Sequence, residues 1–251
     1  MKCFYRLARN GRSVHAVAED GTWRLVDGDP FGAWQPGEVI SAGDAHLLAP
    51  VVPSKIVAIG LNYRDHAAEQ NKPVPAEPLM FLKPSTAVIG PRDPIQLLPI
   101  SRRIDYEGEL GVVIGRLARG VRAEEAFKYI LGYTCGNDVT LRDLQKKDDQ
   151  WARAKGFDGS APLGPWIETD LDPNDAIVRT RLNGEIRQQA STAEMVFGVA
   201  TLIEYTTAFM TLLPGDVLLA GTPEGVGMLA DGDVVEVEVE GVGVLRNEVR
   251  G

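Results

Sequence analysis

The fold is most constrained by a succession of short strand-like segments that begins near residue 54. The segments are KIVAIG, PLMFLKP, GELGVVIG, APLGPWIE, DAIVRTRLNGEIRQ, DVLLAGTP and DVVEVEVEGVGVLRNEV, most of them bounded by turn-forming residues. The last one alternates apolar and charged residues with a period of two, which is typical of a half-exposed strand. Helical patterns are fewer and cover residues 63–70, 123–130, 140–147 and 199–213. The sequence therefore predicts a mainly β (α+β) fold with a few covering helices.

Two of the predicted helices carry further signals. Residues 140–147 start with Thr140 and have Asp143 three residues later, which resembles a capping box. Residues 199–213 place apolar side chains near one face, which predicts an amphipathic packing helix that ends before Pro214. The positions on that face are Val199, Leu202, Ile203, Thr206, Phe209, Met210 and Leu213.

The first fifty or so residues differ from the rest and predict a separate unit. Two alternating runs meet at Asp20-Gly21, and a second such dipeptide, Asn183-Gly184, lies much later; both are hairpin-turn signals. The segment LLAPVVPSK holds two prolines and indicates a boundary near residue 53. We therefore predict a small N-terminal β-rich subdomain over residues 1–53 and a catalytic domain over residues 54–251.

Charge and composition exclude several classes of protein. The chain has 35 acidic and 26 basic residues among 251, a formal charge of −9, so nucleic acid is not an expected partner. Its two cysteines lie far apart and do not form a disulfide framework. It has no long apolar run of the kind that spans a membrane and no signal-peptide pattern at its start. These features predict a cytoplasmic protein without a membrane partner.

Two glutamates lie inside a strand that is otherwise apolar, in RIDYEGELGVVIG. Glu107 and Glu109 are two residues apart and share one face of the strand. Burying two unpaired carboxylates is costly, and a divalent cation would remove that cost. A solvated strand face is the simpler alternative. Asp138 lies just before the predicted helix at Thr140, where a carboxylate is typically a turn or cap residue.

Further candidates have equally simple alternatives. His66 and Glu69 are three residues apart on a predicted helix, where a carboxylate can orient an imidazole or form an ordinary surface pair. Arg142 and Gln145 share a helix face and can hold a carboxylate or be plain helix surface.

Two lysines and a threonine complete the set of candidates. Lys155 lies in WARAKGFDG, and a lone lysine is usually solvated. Thr222 lies in the glycine-rich turn AGTPEGVG, which can expose a hydroxyl and backbone amides or be only a turn. Lys83, in FLKPS, can line a pocket or pair with an acidic neighbour.

Taken in order, the motifs resemble the fumarylacetoacetate hydrolase family from about residue 54 to residue 249. The motifs are NYRDHAAE, FLKPS, DYEGELGVVIG, GYTCGNDVTLRDLQ, RAKGFDGSAPLGPW, LNGEIRQ and LLAGTPEGVG. The resemblance implies a mixed β-roll, usually as a homodimer, with Mg²⁺ or Mn²⁺ held by an acidic triad. By motif match the triad is Glu107, Glu109 and Asp138.

The resemblance also implies roles for the other candidates. His66 and Glu69 match a catalytic dyad that activates water, and residues 69–78 match a mobile lid. Lys155 matches a catalytic residue that, with Gln145, orients substrate, while Thr222 binds a substrate carboxylate. Arg142 is a further substrate-binding candidate. Gly108 is smaller than its counterpart in many relatives; it is expected to face away from the metal, with an effect on packing alone.

The implied substrate is a small 2-oxo acid. The first expectation is hydrolysis of a carbon–carbon bond in an acylpyruvate, or decarboxylation of oxaloacetate, through a pyruvate enolate held by the metal. The alternative is an isomerase of the 2-hydroxyhepta-2,4-diene-1,7-dioate type in aromatic catabolism. A binding protein that kept the fold without activity is a third possibility, which an intact triad and dyad disfavour.

Overall fold

The computed structural model describes residues 2–41 and 46–251, and most of its regular structure is strand. The strands are β1 (Lys2–Arg9), β2 (Arg12–Glu19), β3 (Thr22–Gly28), β4 (Trp34–Ile40), β5 (His46–Leu47), β6 (Lys55–Gly60), β7 (Leu79–Pro84), β8 (Val88–Ile89), β9 (Ile95–Gln96), β10 (Ile104–Tyr106), β11 (Gly108–Ile114), β12 (Ile130–Asn137), β13 (Thr140–Leu141), β14 (Ala161–Glu168), β15 (Ile177–Leu182), β16 (Glu185–Ser191), β17 (Val217–Leu219), β18 (Gly227–Met228), β19 (Val234–Val239) and β20 (Gly243–Arg250). The helices are α1 (Arg64–Glu69), α2 (Arg142–Lys147), α3 (Ala152–Lys155) and α4 (Val199–Phe209). Short 3₁₀ helices cover Ser85–Ala87, Ala123–Tyr129 and Thr192–Glu194.

Three sheets build the molecule. The largest has the order β4-β3-β2-β1-β14-β12-β11-β17-β6-β7, with β5 on β1 and β8 on β14. A second sheet has the order β16-β15-β19-β20-β9, and a short third one has β13-β10-β18. The largest cluster of buried apolar side chains joins β11 and β12 to β15, β19 and α4. The predicted fold class, mainly β with few helices in a rolled arrangement, is confirmed.

Both predicted hairpins are present. Glu19 pairs with Thr22 across Asp20-Gly21, and Leu182 pairs with Glu185 across Asn183-Gly184. In each turn both central residues have positive φ, at 49° and 80° in the first and 53° and 84° in the second. Aspartate, asparagine and glycine tolerate this left-handed backbone, so these dipeptides determine the turns locally.

The predicted capping box at Thr140 is wrong. Thr140 belongs to β13 and pairs with Asp105, and α2 begins only at Arg142. The Thr140 hydroxyl donates to the Asp138 carbonyl at 2.7 Å. The Asp143 carboxylate accepts from the backbone N–H of Arg102 at 3.1 Å instead of capping the helix. The residues predicted to start the helix, Thr140 and Leu141, therefore form a strand instead.

The long amphipathic helix is shorter than predicted. α4 ends at Phe209, and Met210 is already extended at φ −125° and ψ 134°. Phe209 is 52% exposed and Leu213 is 40% exposed, so neither belongs to the buried face. The chain leaves the helix because the backbones of Leu212 and Ala118 exchange two hydrogen bonds of 2.9 Å.

The N-terminal strands extend the large sheet. β1 pairs with β14, where Phe4 lies opposite Ile167, and Phe4 and Leu7 are buried. The division of the chain at residues 53 and 54 stays a prediction. Among the described residues, no helix is long and apolar enough to cross a membrane.

Candidate active site

The paired glutamates lie where the chain passes from one sheet to another. β10 ends at Tyr106 and β11 starts at Gly108, so Glu107 is the residue between them. β11 pairs with β12 in a register that sets Gly108 opposite Asn137. Asp138 follows at once, and its N–H donates to the Glu107 carbonyl at 2.8 Å. Antiparallel pairing therefore brings Asp138 beside the two glutamates.

The three predicted ligands form one buried cluster. Glu107 is 4% exposed and Glu109 and Asp138 are each 1% exposed, which excludes a solvated strand face. One ligand oxygen from each lies within 4.8 Å of the others. Oxygen donors at this density suit a hard divalent cation.

Buried cations neutralise two of the three carboxylates. Lys155 Nζ donates to Glu107 Oε2 at 2.7 Å and to Asp138 Oδ2 at 2.5 Å. Lys83 Nζ donates to Asp138 Oδ1 at 2.7 Å. Arg142 pairs with Glu107 through one end of its guanidinium. Lysine and arginine side chains thus neutralise part of the buried negative charge, for which the sequence suggested a metal ion.

Glu109 differs from its two neighbours. Its Oε2 accepts the N–H of Gly221 at 2.7 Å, and no cation of the described residues pairs with it. Burial, followed by the negative charges of Asp138 and Glu107, raises the pKa of Glu109 well above its usual value. A divalent cation would relieve that cost, so the cluster fits a metal ion on charge as well as on donor chemistry.

The charges around the cluster are strongly coupled. Burial alone would raise the pKa of Glu107, but the charges of Lys155 and Arg142 outweigh it and hold that pKa far below its usual range. Burial likewise works against the charge of Lys155, yet Asp138 and Glu107 raise its pKa, so the ammonium stays protonated.

The predicted dyad is in contact. His66 is buried on α1, and its Nδ1 lies 2.9 Å from Glu69 Oε2. Glu69 Oε1 accepts the N–H of Gly225 at 3.0 Å. Burial would raise the pKa of Glu69, but the hydrogen bonds from His66 and Gly225 lower it. With Nδ1–H assigned as donor to Glu69, Nε2 is left for a ligand.

A single cleft gathers most of the predicted site residues. It is lined by His66, Glu107, Glu109, Arg142, Gln145, Lys155 and Thr222, together with apolar and aromatic side chains. Glu69 and Asp138 do not line the cleft themselves. Glu69 contacts His66 and Asp138 contacts Lys155, and both of these partners line it. Gln145 Oε1 accepts from Arg142 at 2.7 Å, so these two act as one unit.

The Thr222 hydroxyl is already engaged. It donates to the Gly108 carbonyl at 2.9 Å and accepts from Gln188 Nε2 at 2.7 Å. Its predicted role in binding a substrate carboxylate therefore stays a prediction. As expected, Gly108 faces away from the acidic cluster: a Cβ there would collide with the Thr180 hydroxyl of the second sheet.

Sequence reasoning missed several supporting residues. Asp105 is buried and accepts from Arg142 Nε at 2.8 Å, and its position two residues before Glu107 was an available signal. Gln188 accepts the Gly108 N–H at 3.0 Å and donates to the Thr222 hydroxyl, and its place at the end of the motif LNGEIRQ was an available signal. Lys83, for which two roles were open, pairs with Asp138.

The chain is similar in sequence and in fold to known proteins. Residues 55–250 match the family described as Fumarylacetoacetate (FAA) hydrolase C-terminal. The chain belongs to the fumarylacetoacetate hydrolase family. Residues 4–50 match a second family, described as Rv2993c-like, N-terminal. The resemblance inferred from the motifs is thus confirmed.

Several relatives of this family member are similar over most of their length. An uncharacterized protein of Archaeoglobus fulgidus is 59% identical over 243 residues, 96% of this chain and 94% of the relative. The mitochondrial oxaloacetate tautomerase fahd2 of Xenopus laevis is 42% identical over 224 residues, 84% of this chain and 70% of the relative.

Solved structures give the same fold. A 2-hydroxyhepta-2,4-diene-1,7-dioate isomerase from Mycobacterium marinum superposes with a TM-score of 0.92 at 43% identity, covering 100% of this chain and 98% of that one. A fumarylacetoacetate hydrolase from Exiguobacterium antarcticum has a TM-score of 0.91 at 35% identity and covers both chains fully, at 100% each. Members of this family are enzymes, and they include tautomerases, isomerases and hydrolases.

Proposed function

We propose that this protein is a divalent-metal-dependent enzyme that interconverts the keto and enol forms of an oxaloacetate-type 2-oxo acid. The observation that carries the proposal is the buried acidic cluster beside the His66–Glu69 pair in one cleft. The 42% identity to an oxaloacetate tautomerase over 84% of the chain supports this choice of reaction.

The cation in this proposal is Mg²⁺ or Mn²⁺. Glu107, Glu109 and Asp138 would hold it, because their donors are all carboxylate oxygens and Glu109 has no other cation among the described residues. When bound, such an ion supplies Lewis acidity to a 2-oxo carbonyl.

The chain's own residues supply the proton transfer. Enolisation removes a proton from the carbon next to the 2-oxo group and places one on the oxygen. His66 Nε2 takes the carbon-bound proton, Glu69 stabilises the imidazolium that forms, and the imidazolium returns the proton to the oxygen. The Lys155 ammonium lies 2.7 Å from Glu107 and lines the same cleft, where it stabilises negative charge developing on the oxygen. Arg142 and Gln145 orient the acid.

Carbon–carbon bond hydrolysis of an acylpyruvate is the second candidate. The same dyad favours it, since an imidazole fixed through Nδ1 can take a proton from water through Nε2. The hydrolase from Exiguobacterium antarcticum, 35% identical over the whole chain, supports keeping this reaction. Decarboxylation of oxaloacetate needs no such water and would proceed even if His66 could not activate one.

Three substrates separate these reactions. The purified protein, with Mg²⁺ or Mn²⁺, is mixed with oxaloacetate, acetylpyruvate or a 2-hydroxymuconate-type diene acid, while absorbance and pyruvate are followed. Faster decay of enol-oxaloacetate absorbance without pyruvate supports the tautomerase. Pyruvate from acetylpyruvate indicates the hydrolase, and pyruvate from oxaloacetate indicates the decarboxylase. A change with the diene acid alone indicates the isomerase.

Variants connect the activity to the site. His66→Ala and Glu107→Ala should each lose activity, as should the wild type with a chelator. Lys128→Met, at an exposed lysine in the 3₁₀ helix Ala123–Tyr129, should keep it. Activity that survives in His66→Ala would contradict the proposed proton transfer.

Two further expectations concern partners. A homodimer remains a prediction that sedimentation of the purified protein tests. The absence of nucleic-acid binding remains a prediction that a mobility-shift experiment tests.

A further inference from the structure

Among the described residues, the cleft carries one cation that the proposed chemistry does not use. Lys155 and Arg142 line it, but both are paired with Glu107. Lys72 also lines it, is exposed, and pairs with no carboxylate of the described residues. Its contact is with an aromatic ring: Lys72 Nζ lies 5.8 Å from the centre of the Trp151 ring. A cation over a tryptophan face keeps its donors available for an anion.

The position of Lys72 is fixed to the helix that carries the dyad. The Lys72 N–H donates to the Ala67 carbonyl at 2.9 Å, and the Asn71 N–H donates to the Ala68 carbonyl at 2.9 Å. Asn71 has φ at 53°. This hydrogen-bond pattern is a Schellman motif, which closes the C-terminus of α1. The backbone of Lys72 therefore holds its place relative to His66.

An aromatic wall joins Lys72 to the centre of the site. Trp151 packs against Phe81 with ring centres 5.4 Å apart, and Phe81 lies 4.9 Å from Lys155 Nζ. The backbone carbonyl of Trp151 also accepts the Lys155 N–H at 2.9 Å, and Trp151 is the N-cap of α3, the helix that carries this lysine. A cation thus stands at each end of the Phe81–Trp151 pair.

We propose that Lys72, held against Trp151, binds the second, remote carboxylate of the substrate and makes the cleft selective for 2-oxo dicarboxylic acids. This inference rests on the proposed function, in which the 2-oxo acid end lies at the acidic cluster. A substrate that extends from the acidic cluster along Phe81 and Trp151 then has its remote carboxylate next to Lys72. The unpaired ammonium attracts a carboxylate there and gains nothing from a methyl group.

The test is a binding measurement on two acids that share a carbon chain. 2-Oxoglutarate has a remote carboxylate, and 2-oxopentanoate has a methyl group in its place. Each is titrated by calorimetry into the Mg²⁺-loaded wild type, Lys72→Met and Lys128→Met. Methionine keeps most of the apolar stem, and Lys128→Met makes the same change in net charge outside the cleft.

We expect the wild type and Lys128→Met to bind 2-oxoglutarate about tenfold more tightly than 2-oxopentanoate. Lys72→Met should lose that preference and change its affinity for 2-oxopentanoate by less than about twofold. Equal affinities in the wild type, a preference that survives in Lys72→Met, or no binding of either acid would overturn the inference.

The two proposals fail in different ways. If the preference depends on Lys72 but oxaloacetate is not turned over, the binding inference stands and the proposed reaction is wrong. If oxaloacetate is turned over and Lys72→Met changes neither its KM nor the preference, the reaction stands and the inference is wrong.

Discussion

Glu109 and Lys155 lie in the same buried cluster but should respond oppositely to loss of charge. Within residues 2–41 and 46–251, Glu109 has only a backbone N–H as its partner, whereas Lys155 pairs with Glu107 and Asp138. Without metal, Glu109→Gln should leave the melting temperature unchanged or raise it, since an uncompensated buried charge is removed. Lys155→Met should lower the stability by roughly 3 kcal/mol, because it leaves two buried carboxylates with fewer partners.

Thermal unfolding with chelator and then with excess Mg²⁺ measures both effects. The wild type should gain stability on adding Mg²⁺, because an ion that binds only the folded state raises its melting temperature. Glu109→Gln should lose most of that gain. Equal destabilisation of the two metal-free variants would show that Glu109 is compensated in some other way.

The lowered pKa of Glu69 predicts a pH-dependent contribution to stability. Its ordinary value is 4.5, and hydrogen bonds from His66 and Gly225 lower it in the folded protein despite partial burial. Stability from this group is then present above the ordinary value and is lost as the pH falls through the folded pKa. The melting temperature of Glu69→Gln should lie below that of the wild type at neutral pH, with the gap closing in acid. A gap that is constant with pH would contradict the hydrogen-bonded carboxylate.

At the scale of elements, the turn between β17 and β18 contacts both Glu69 of the dyad and Tyr106, the last residue of β10 and the neighbour of Glu107. The Gly225 N–H holds Glu69 at 3.0 Å, and its carbonyl accepts the Tyr106 hydroxyl at 3.0 Å. Gly225 has φ at 95°, and a Cβ there would collide with the Arg187 carbonyl. This turn therefore requires glycine for both its backbone angle and the available space.

Gly225→Ala should consequently cost more than the same change in a free turn. Gly184, in the hairpin between β15 and β16, has φ at 84° but open space around its Cβ position. We expect Gly184→Ala to cost about 1 kcal/mol from backbone strain and Gly225→Ala about 3 kcal/mol in total. Urea denaturation measures both, and equal costs would mean that the turn yields easily. Activity should fall in Gly225→Ala alone.

At the scale of the whole molecule, the N-terminal strands cover the β14 side of the large sheet. β1 pairs with β14, Phe4 packs in a cluster with Ile167, and Tyr5 lies 5.2 Å from Trp166 between ring centres. A chain of residues 54–251 would expose this side of the sheet and its apolar side chains. We expect it to lose at least about 3 kcal/mol of stability and to aggregate.

Light scattering and thermal unfolding of that shortened chain test the expectation. An unchanged melting temperature with no aggregation would show that residues 1–53 form an independent unit. The predicted boundary would then separate two domains in the folding sense as well as in sequence.

Much of the architecture follows from local sequence. Three features depend on residues that are close together in the chain: the strand-like segments, the two hairpin turns with aspartate, asparagine and glycine, and the shared face of Glu107 and Glu109. Local steric preferences decide such features, so the sequence predicts them. The local pattern was wrong at Thr140, which pairs with β10, and at the end of α4, where Leu212 forms an isolated bridge with the distant Ala118.

The working arrangement of the site depends on long-range packing. Asp138 meets Glu107 through strand register, Lys83 and Lys155 come from separate elements to the same carboxylate, and no spacing in the sequence encodes that convergence. The motifs determined the family and its candidate residues. Only the tertiary structure decided which carboxylates pair with lysine or arginine and that Glu109 pairs with no cation of the described residues. Buried charges interact through space with the groups that the fold brings near them.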